Sequence, residues 1–126
     1  ALGFAAAINW LHENDMAVMH KHVMGLTQYA LDSLSKLNSI EIYGPRNAQQ
    51  RAGIVSFNLK DVHPHDVGQI AGELGVAIRA GHHCCQPLMQ YIGVAATARA
   101  SFAPYNSYSD IDVLIEAINE AHSKFA

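Results

Sequence analysis

The segment I-V-S-F-N-L, residues 54–59, is the strand pattern around which the rest of the sequence can be arranged. Its apolar side chains at positions 55, 57 and 59 alternate with polar side chains at 56 and 58. Successive side chains of a strand point to opposite faces, so this alternation predicts a strand with one face buried. Shorter strand candidates lie on both sides of it, at residues 40–43, 76–79 and 98–102.

Helices are predicted at both ends of the chain and between the strands. Asp15 can cap the second helix, Pro64 suits the first turn of the third, and Gly75 is a natural stop after it. Ser107 or Ser109 can cap the last helix. The order of elements predicts an α+β fold, with a small, mostly antiparallel sheet and helices packed on one face. The predicted helices span residues 1–14, 15–37, 65–74, 87–92 and 109–124.

Length and composition restrict the class of protein. A chain of 126 residues that is 50% hydrophobic can close one buried core, which predicts a single domain over residues 1–126. The net charge of -3 and the absence of a basic stripe argue against nucleic acid as a partner. No apolar run reaches the roughly 20 residues that span a bilayer, and no signal peptide is evident, so we expect a soluble, cytoplasmic protein without membrane contact.

The chain has two cysteines, Cys84 and Cys85, and they are neighbours. A disulfide between adjacent residues would require a small, strained ring, so a secreted disulfide scaffold is not expected. Two interpretations of the thiols remain open at this point. They are either inert, buried small side chains or part of a reactive site.

Reactive side chains are densest in R-A-G-H-H-C-C-Q-P, residues 79–87, just after a predicted strand. Protonated imidazoles, a nearby guanidinium and the start of the following short helix would all favour the thiolate form of a cysteine. Cys84 or Cys85 is therefore a candidate nucleophile. His82 and His83 would also make the segment competent for zinc, but consecutive residues point in different directions and no second cysteine pair exists, so no metal site is predicted.

Two basic residues outside this segment need an interpretation. Arg99 lies in a predicted strand, where a guanidinium needs a partner. That partner is either an internal carboxylate or the carboxylate of a substrate held by a bidentate fork. Lys21 follows His20 in the middle of a predicted helix, and we interpret it as a surface charge, because a solvated lysine lacks the lowered pKa that imine chemistry requires.

The segment R-A-G-H-H-C-C-Q-P-L-M, residues 79–89, resembles the active-site loop of the second group of cysteine desulfurases, the SufS and CsdA types of the class V aminotransferase family. Further segments resemble the family in the same order along the chain. The resemblance implies the C-terminal small domain of these enzymes, whose larger fold is that of fold-type I pyridoxal-phosphate enzymes. The supporting segments span residues 42–45, 55–58, 66–68 and 99–106.

The resemblance implies roles for individual residues. Cys84 would remove sulfur from L-cysteine as a persulfide and leave L-alanine, while Arg99 would hold the substrate carboxylate. Arg79, His82 and His83 match loop positions with supporting roles in the active site. Cys85 stands where the family usually has alanine, and it is either a second thiol that can receive the sulfur or a small buried substitute.

The resemblance also implies partners and a longer protein. Pyridoxal 5'-phosphate would be bound by a cofactor domain that these residues do not include. The helical pattern starts at Ala1 without a cap, so we expect that domain upstream and expect the fragment alone to be inactive. The full-length enzyme would be a homodimer that passes sulfur to an acceptor protein of the SufE or CsdE type, for iron-sulfur cluster assembly or other sulfur transfer. The alternatives are a cysteine sulfinate desulfinase, a selenocysteine lyase, a stand-alone sulfur-carrier or interaction module, and a zinc-binding module.

Overall fold

The computed structural model describes residues 1–125, and its helices and strands follow the predicted order along the chain. A short 3-10 turn at Ala48–Gln50 adds structure to the polar segment between the first two strands. The helices are α1 (Leu2–Glu13), α2 (Met16–Leu34), α3 (Pro64–Glu73), α4 (Gln86–Ile92) and α5 (Tyr108–Phe125). The strands are β1 (Ile40–Tyr43), β2 (Ile54–Leu59), β3 (Arg79–Gly81) and β4 (Thr97–Ser101).

The strands form one sheet in the order β1-β2-β4-β3, and every neighbouring pair is antiparallel. Along β2 the buried side chains of Val55, Phe57 and Leu59 alternate with the half-buried side chains of Ser56 and Asn58. This is the period of two that the sequence predicts. The predicted α+β class is confirmed.

The hydrophobic core lies between the sheet and helices α2, α3 and α5. Helix α5 contacts the other two helices, and α2 and α3 contact the central strands. Val55 and Phe57 of β2 share this core with Ala98 and Ala100 of β4. Side chains alternate along a strand, so the residues between them point away from the core. The face of the sheet opposite the core, here called the open face, therefore carries the polar residues of β2 and β4.

Helix α1 lies apart from this core. None of its side chains is buried, and the apolar residues Leu2, Phe4 and Trp10 are largely exposed. Within residues 1–125, no helix combines the length and the apolar character needed to cross a bilayer.

The predicted position of the third strand is wrong. Residues 76–79 were predicted, but strand pairing covers Arg79–Gly81, where Arg79 lies opposite Arg99. The backbone N–H of Val76 donates to the carbonyl of Ala71 (2.8 Å), which ties the segment to the end of α3 instead of to β4. Val76 and Ile78 pack against the core without joining the sheet.

Candidate active site

A tight turn after β3 presents the cysteines, and we call residues 82–85 the thiol turn. The N–H of Cys85 donates to the carbonyl of His82 (2.9 Å), while His83 and Cys84 have φ values of +56° and +55°. Positive φ at both central residues is the signature of a type I′ turn, a position where Gly, Asn and Asp dominate. A residue with a Cβ costs about 1–2 kcal/mol in this conformation. Backbone strain of this kind clusters at functional sites.

Glycine is needed where the chain leaves β3 for the thiol turn. Gly81 has φ +130°, a conformation that residues with a side chain rarely adopt. The turn thereby begins directly at the end of the strand. Its position is set by the sheet and not by a flexible linker.

His83 fastens the thiol turn to the sheet. Its Nε2 lies 3.1 Å from the carbonyl oxygen and 2.9 Å from Oγ1 of Thr97, a residue that is fully buried. The Nδ1 of His83 is buried without a hydrogen-bond partner in the described part of the chain. A proton on Nε2 gives the carbonyl a donor, whereas a proton on Nδ1 would leave a buried N–H unsatisfied. We therefore assign the proton to Nε2.

The pKa of His83 is lowered from its ordinary value, first by burial and then by the positive charge of Arg99. The hydrogen bond to Thr97 opposes this shift, and the charges of Arg79 and His82 add to it. Protonation would place a second N–H on the unpartnered Nδ1, close to two guanidinium groups. The expectation that protonated imidazoles favour the thiolate is therefore opposed at His83, whose surroundings disfavour the charged ring.

His82 supports the turn in a different way. Its Nδ1 accepts the backbone N–H of Cys84 (3.1 Å), and its ring is exposed. An acceptor at Nδ1 places the proton of the neutral ring on Nε2. The imidazole thus fixes the backbone of the residue that carries the candidate nucleophile.

Both thiols are accessible. Cys84 and Cys85 are free cysteines with exposed side chains. The interpretation of these residues as buried small side chains is therefore wrong within residues 1–125, and so is the interpretation of Cys85 as a buried substitute for alanine. The reason is that the thiol turn holds them on its outer side, while α4 contributes Met89 instead as its buried residue.

A row of polar side chains crosses the open face beside the turn. Ser56, Arg99 and Arg79 are partners in register across β2, β4 and β3. Directly opposite residues of antiparallel strands point to the same face, so the two arginine side chains leave the sheet from neighbouring positions. Arg99 is half-buried, and its Nε is buried without a hydrogen-bond partner.

No carboxylate within residues 1–125 forms a salt bridge with Arg99 or Arg79. The interpretation of Arg99 as half of an internal ion pair is therefore wrong for the described part of the chain. Two adjacent guanidinium groups without an acid leave a site that is suited to an anion, and their planar forks match a carboxylate.

The arginines and the thiol turn occupy the same part of the open face. Thr97, which binds His83, lies two residues from Arg99 on the same strand and face, a separation of about 7 Å. The effect of both arginines on His83 agrees with this proximity. The structure thus brings together the predicted site residues, which are Arg79, His82, His83, Cys84, Cys85 and Arg99.

The sequence reasoning missed Thr97, the residue that anchors the turn. The signal was present, because Thr97 is two positions before Arg99 and therefore shares its face of the strand. Lys21 is exposed on α2, as predicted for a surface charge. Nowhere in residues 1–125 do three His, Cys, Asp or Glu side chains come together as a metal cluster.

Fold and site together define an α+β domain that presents exposed thiols beside a pair of guanidinium groups. The family model for aminotransferase class-V matches residues 1–114. The chain therefore belongs to the aminotransferase class-V family.

Three relatives illustrate this membership. A probable cysteine desulfurase of Halalkalibacterium halodurans is 49% identical over 125 residues, which cover 99% of this chain and 30% of the relative. The crystal structure of the cysteine desulfurase CsdA from Escherichia coli matches with a TM-score of 0.89 and 35% identity over 98% of this chain and 30% of that one. The apo cysteine desulfurase of Thermococcus onnurineus matches with a TM-score of 0.91 and 34% identity over 97% of this chain and 30% of that one. The chain thus spans about 30% of the length of these relatives.

Proposed function

We propose that residues 1–126 are the C-terminal small domain of a pyridoxal-phosphate-dependent cysteine desulfurase, with Cys84 as the nucleophile. The observation that carries the proposal is an exposed thiol on a strained, anchored turn beside an arginine that has no internal acid. The names of the relatives, which are cysteine desulfurases, support the same reaction. In the reaction, L-cysteine gives L-alanine and a persulfide on Cys84.

Arg99 is proposed to hold the carboxylate of the substrate. Its side chain is only half-buried and forms no salt bridge with a carboxylate of residues 1–125, so the accessible part of the guanidinium can bind the two acceptor oxygens of an amino-acid carboxylate. Arg79, the neighbour across the strand pair, adds positive charge to the same part of the face. An amino acid held here lies on the side of the sheet from which the thiol turn projects.

The thiolate of Cys84 is proposed to attack the sulfur of the bound cysteine. A new sulfur-sulfur bond forms as the carbon-sulfur bond breaks, and pyridoxal phosphate supplies the electron sink that this cleavage needs. His82 and His83 hold the backbone of the nucleophile through the contacts described above. The resulting persulfide is exposed, which suits transfer to an acceptor protein of the SufE or CsdE type in a homodimeric enzyme.

The exposure of the lysines within residues 1–125 supports a cofactor site outside these residues. The cofactor needs a lysine with a lowered pKa for its imine, but the lysines within residues 1–125 are all exposed. We therefore assign no residue of this chain to the cofactor and propose that another part of the full-length protein binds it. The lysines are Lys21, Lys36, Lys60 and Lys124.

Expression of the complete native reading frame with the Cys84→Ala variant tests the proposal. Alanine and sulfide formation from L-cysteine should fall by at least about a hundredfold, since a nucleophile has no substitute in covalent catalysis. Lys21→Ala, which changes an exposed residue of α2, is the control and should retain activity. Full activity of Cys84→Ala would refute the proposal.

The preferred substrate is tested in the same protein. Cysteine sulfinate and selenocysteine carry the same carboxylate and amino groups that Arg99 and the cofactor would bind, so the structure favours none of them. We propose cysteine because the relatives are named for it. A kcat/KM that is higher for cysteine sulfinate or selenocysteine would reassign the substrate without changing the role of Cys84.

A further inference from the structure

We propose that Cys85 is a second sulfur-carrying thiol, which takes the outer sulfur of a persulfide on Cys84 by direct attack within the same chain. The proposal deepens the function proposed above and rests on it. Its basis is the presence of two exposed, free thiols on consecutive residues. The side chain of Cys85 also makes no capping hydrogen bond to α4, although the residue occupies the N-cap position, so its thiol is not engaged by the backbone.

Geometry favours transfer of the outer sulfur over closure of a disulfide. A direct bond between the two cysteines would bring their sulfurs to about 2.05 Å and their Cβ atoms to about 3.8 Å, which forces adjacent residues into a small, strained ring. In the transfer, one sulfur atom lies between the two thiols. The transferred sulfur is about 2 Å or more from each thiol sulfur. When the three atoms lie in line, the two thiol sulfurs are roughly 4–5 Å apart. The transferred sulfur bridges the two side chains only in the transition state, and this larger ring opens again as the bond to Cys84 breaks.

The step is balanced without an external oxidant or reductant. The Cys85 thiolate attacks the outer sulfur, a bond forms between Cys85 and that sulfur, and the bond between Cys84 and that sulfur breaks. Cys84 leaves as a thiolate, and the proton of the Cys85 thiol passes to it through solvent. One persulfide and one thiol are present before and after the step, so no net oxidation occurs.

The transfer frees the nucleophile for a second turnover. Because the bonds formed and broken are alike and both side chains are exposed, the sulfur should distribute between the two residues in comparable amounts. Cys84 can then accept a second sulfur while Cys85 holds the first. The chain should therefore carry up to two transferable sulfurs, whereas a Cys85→Ser variant should carry one.

The first experiment uses the full-length protein with L-cysteine as the sulfur source. Persulfides are trapped by alkylation, and fragmentation between residues 84 and 85 in a mass spectrometer assigns the extra sulfur to one residue. The wild type should carry the extra sulfur, here called the label, on both residues. The Cys85→Ser variant should carry it on Cys84 alone, and the Cys84→Ser variant on neither residue. Label on Cys84 alone in the wild type would overturn the proposal. No label on any wild-type residue would overturn the proposed function instead.

A second experiment separates the two proposals by loading the same proteins with cysteine persulfide, which needs no desulfurase activity. The sulfur of the wild type should reach Cys85 with a first-order rate constant that does not depend on protein concentration. Label that reaches Cys85 within the mixing time also supports the transfer, provided that Cys84→Ser takes up no label in that time. The proposal fails if the extra sulfur stays on Cys84, if the observed rate constant of its transfer increases in proportion to protein concentration, or if sulfur enters Cys84→Ser as fast as the wild type.

Discussion

Replacing Arg99 by methionine should stabilise the domain while removing the proposed carboxylate site. The Nε of Arg99 is buried and has no hydrogen-bond partner in the described part of the chain. Arg79 stands directly opposite it with the same charge. Arg99 therefore destabilises the folded domain. This is expected of a residue whose partner is a ligand.

The size of the change in unfolding free energy follows from the unpartnered Nε and from the like charge of Arg79. A buried donor without a partner costs about 1–3 kcal/mol, and methionine removes the donor while it retains most of the apolar stem. Arg99 is only half-buried, so solvent already reduces the cost of its charge and its repulsion from Arg79. We expect the free energy of unfolding to rise by about 1 kcal/mol. For a chain of this length, that raises Tm by about 3–5 °C.

Urea denaturation of wild type, Arg99→Met and Arg46→Met measures the effect. Arg46 is exposed and serves as the control, with an expected change within about 0.5 kcal/mol. In the full-length protein, Arg99→Met should lower kcat/KM for L-cysteine. A loss of about 3 kcal/mol or more in Arg99→Met would refute the reasoning, because losses of that size follow when one partner of a buried ion pair is removed.

Three further predictions concern the anchor of the thiol turn and the packing of the sheet. Because the pKa of His83 is lowered in the folded state, the unfolded chain binds more protons, so stability should fall as pH drops through the ordinary histidine value of about 6.5. His83→Asn, which tolerates positive φ, should flatten this dependence of the urea midpoint, and an unchanged slope would contradict the assignment. Thr97→Val keeps the side-chain volume but removes Oγ1, and it should reduce amide-exchange protection of the hydrogen bond that closes the thiol turn by about fivefold, or about 1 kcal/mol. Thr97→Ser should retain that protection, and equal losses in both variants would show that Oγ1 is not the anchor. Gly53→Ala places a Cβ 2.7 Å from the carbonyl oxygen of Phe102 and should cost about 1–3 kcal/mol in thermal unfolding. Gly72→Ala, which meets nothing within 4 Å in α3, should gain up to about 1 kcal/mol, and the reverse order of these two variants would be inconsistent with the packing described.

The elements that the sequence predicts correctly are those with local signals. The alternation in β2 requires only the side chains of that strand. Asp15 accepts hydrogen bonds from the backbone of Ala17 and Val18, which is the capping role that its position indicates. The boundaries of β3 could not be predicted in this way, because pairing opposite Arg99 is a contact with a strand that lies 20 residues further along the chain.

The same distinction between local signals and long-range contacts applies to the candidate site. The residue types and spacing predict a nucleophilic cysteine, and the resemblance adds Arg99, but neither reveals the state of His83. Its lowered pKa depends on burial and on the charge of Arg99, which lies 16 residues away in sequence, while Thr97 holds the ring through contacts with its Nε2. The exposure of Cys85 likewise depends on where the thiol turn leaves the sheet. Burial and protonation are properties of the packed domain and not of the segment that carries the residues.

The conformation of the thiol turn reflects a balance between strain and anchoring. Two residues with positive φ cost about 2–4 kcal/mol together, because neither is glycine. Hydrogen bonds from His83 to Thr97 and between Cys85 and His82 offset it, each by about 0.5–1.5 kcal/mol. Because these effects are of similar size, the turn keeps its shape only while the sheet holds His83. The position of the thiol therefore depends on β4, the strand that also carries Arg99, so one strand positions both the proposed nucleophile and the proposed carboxylate site.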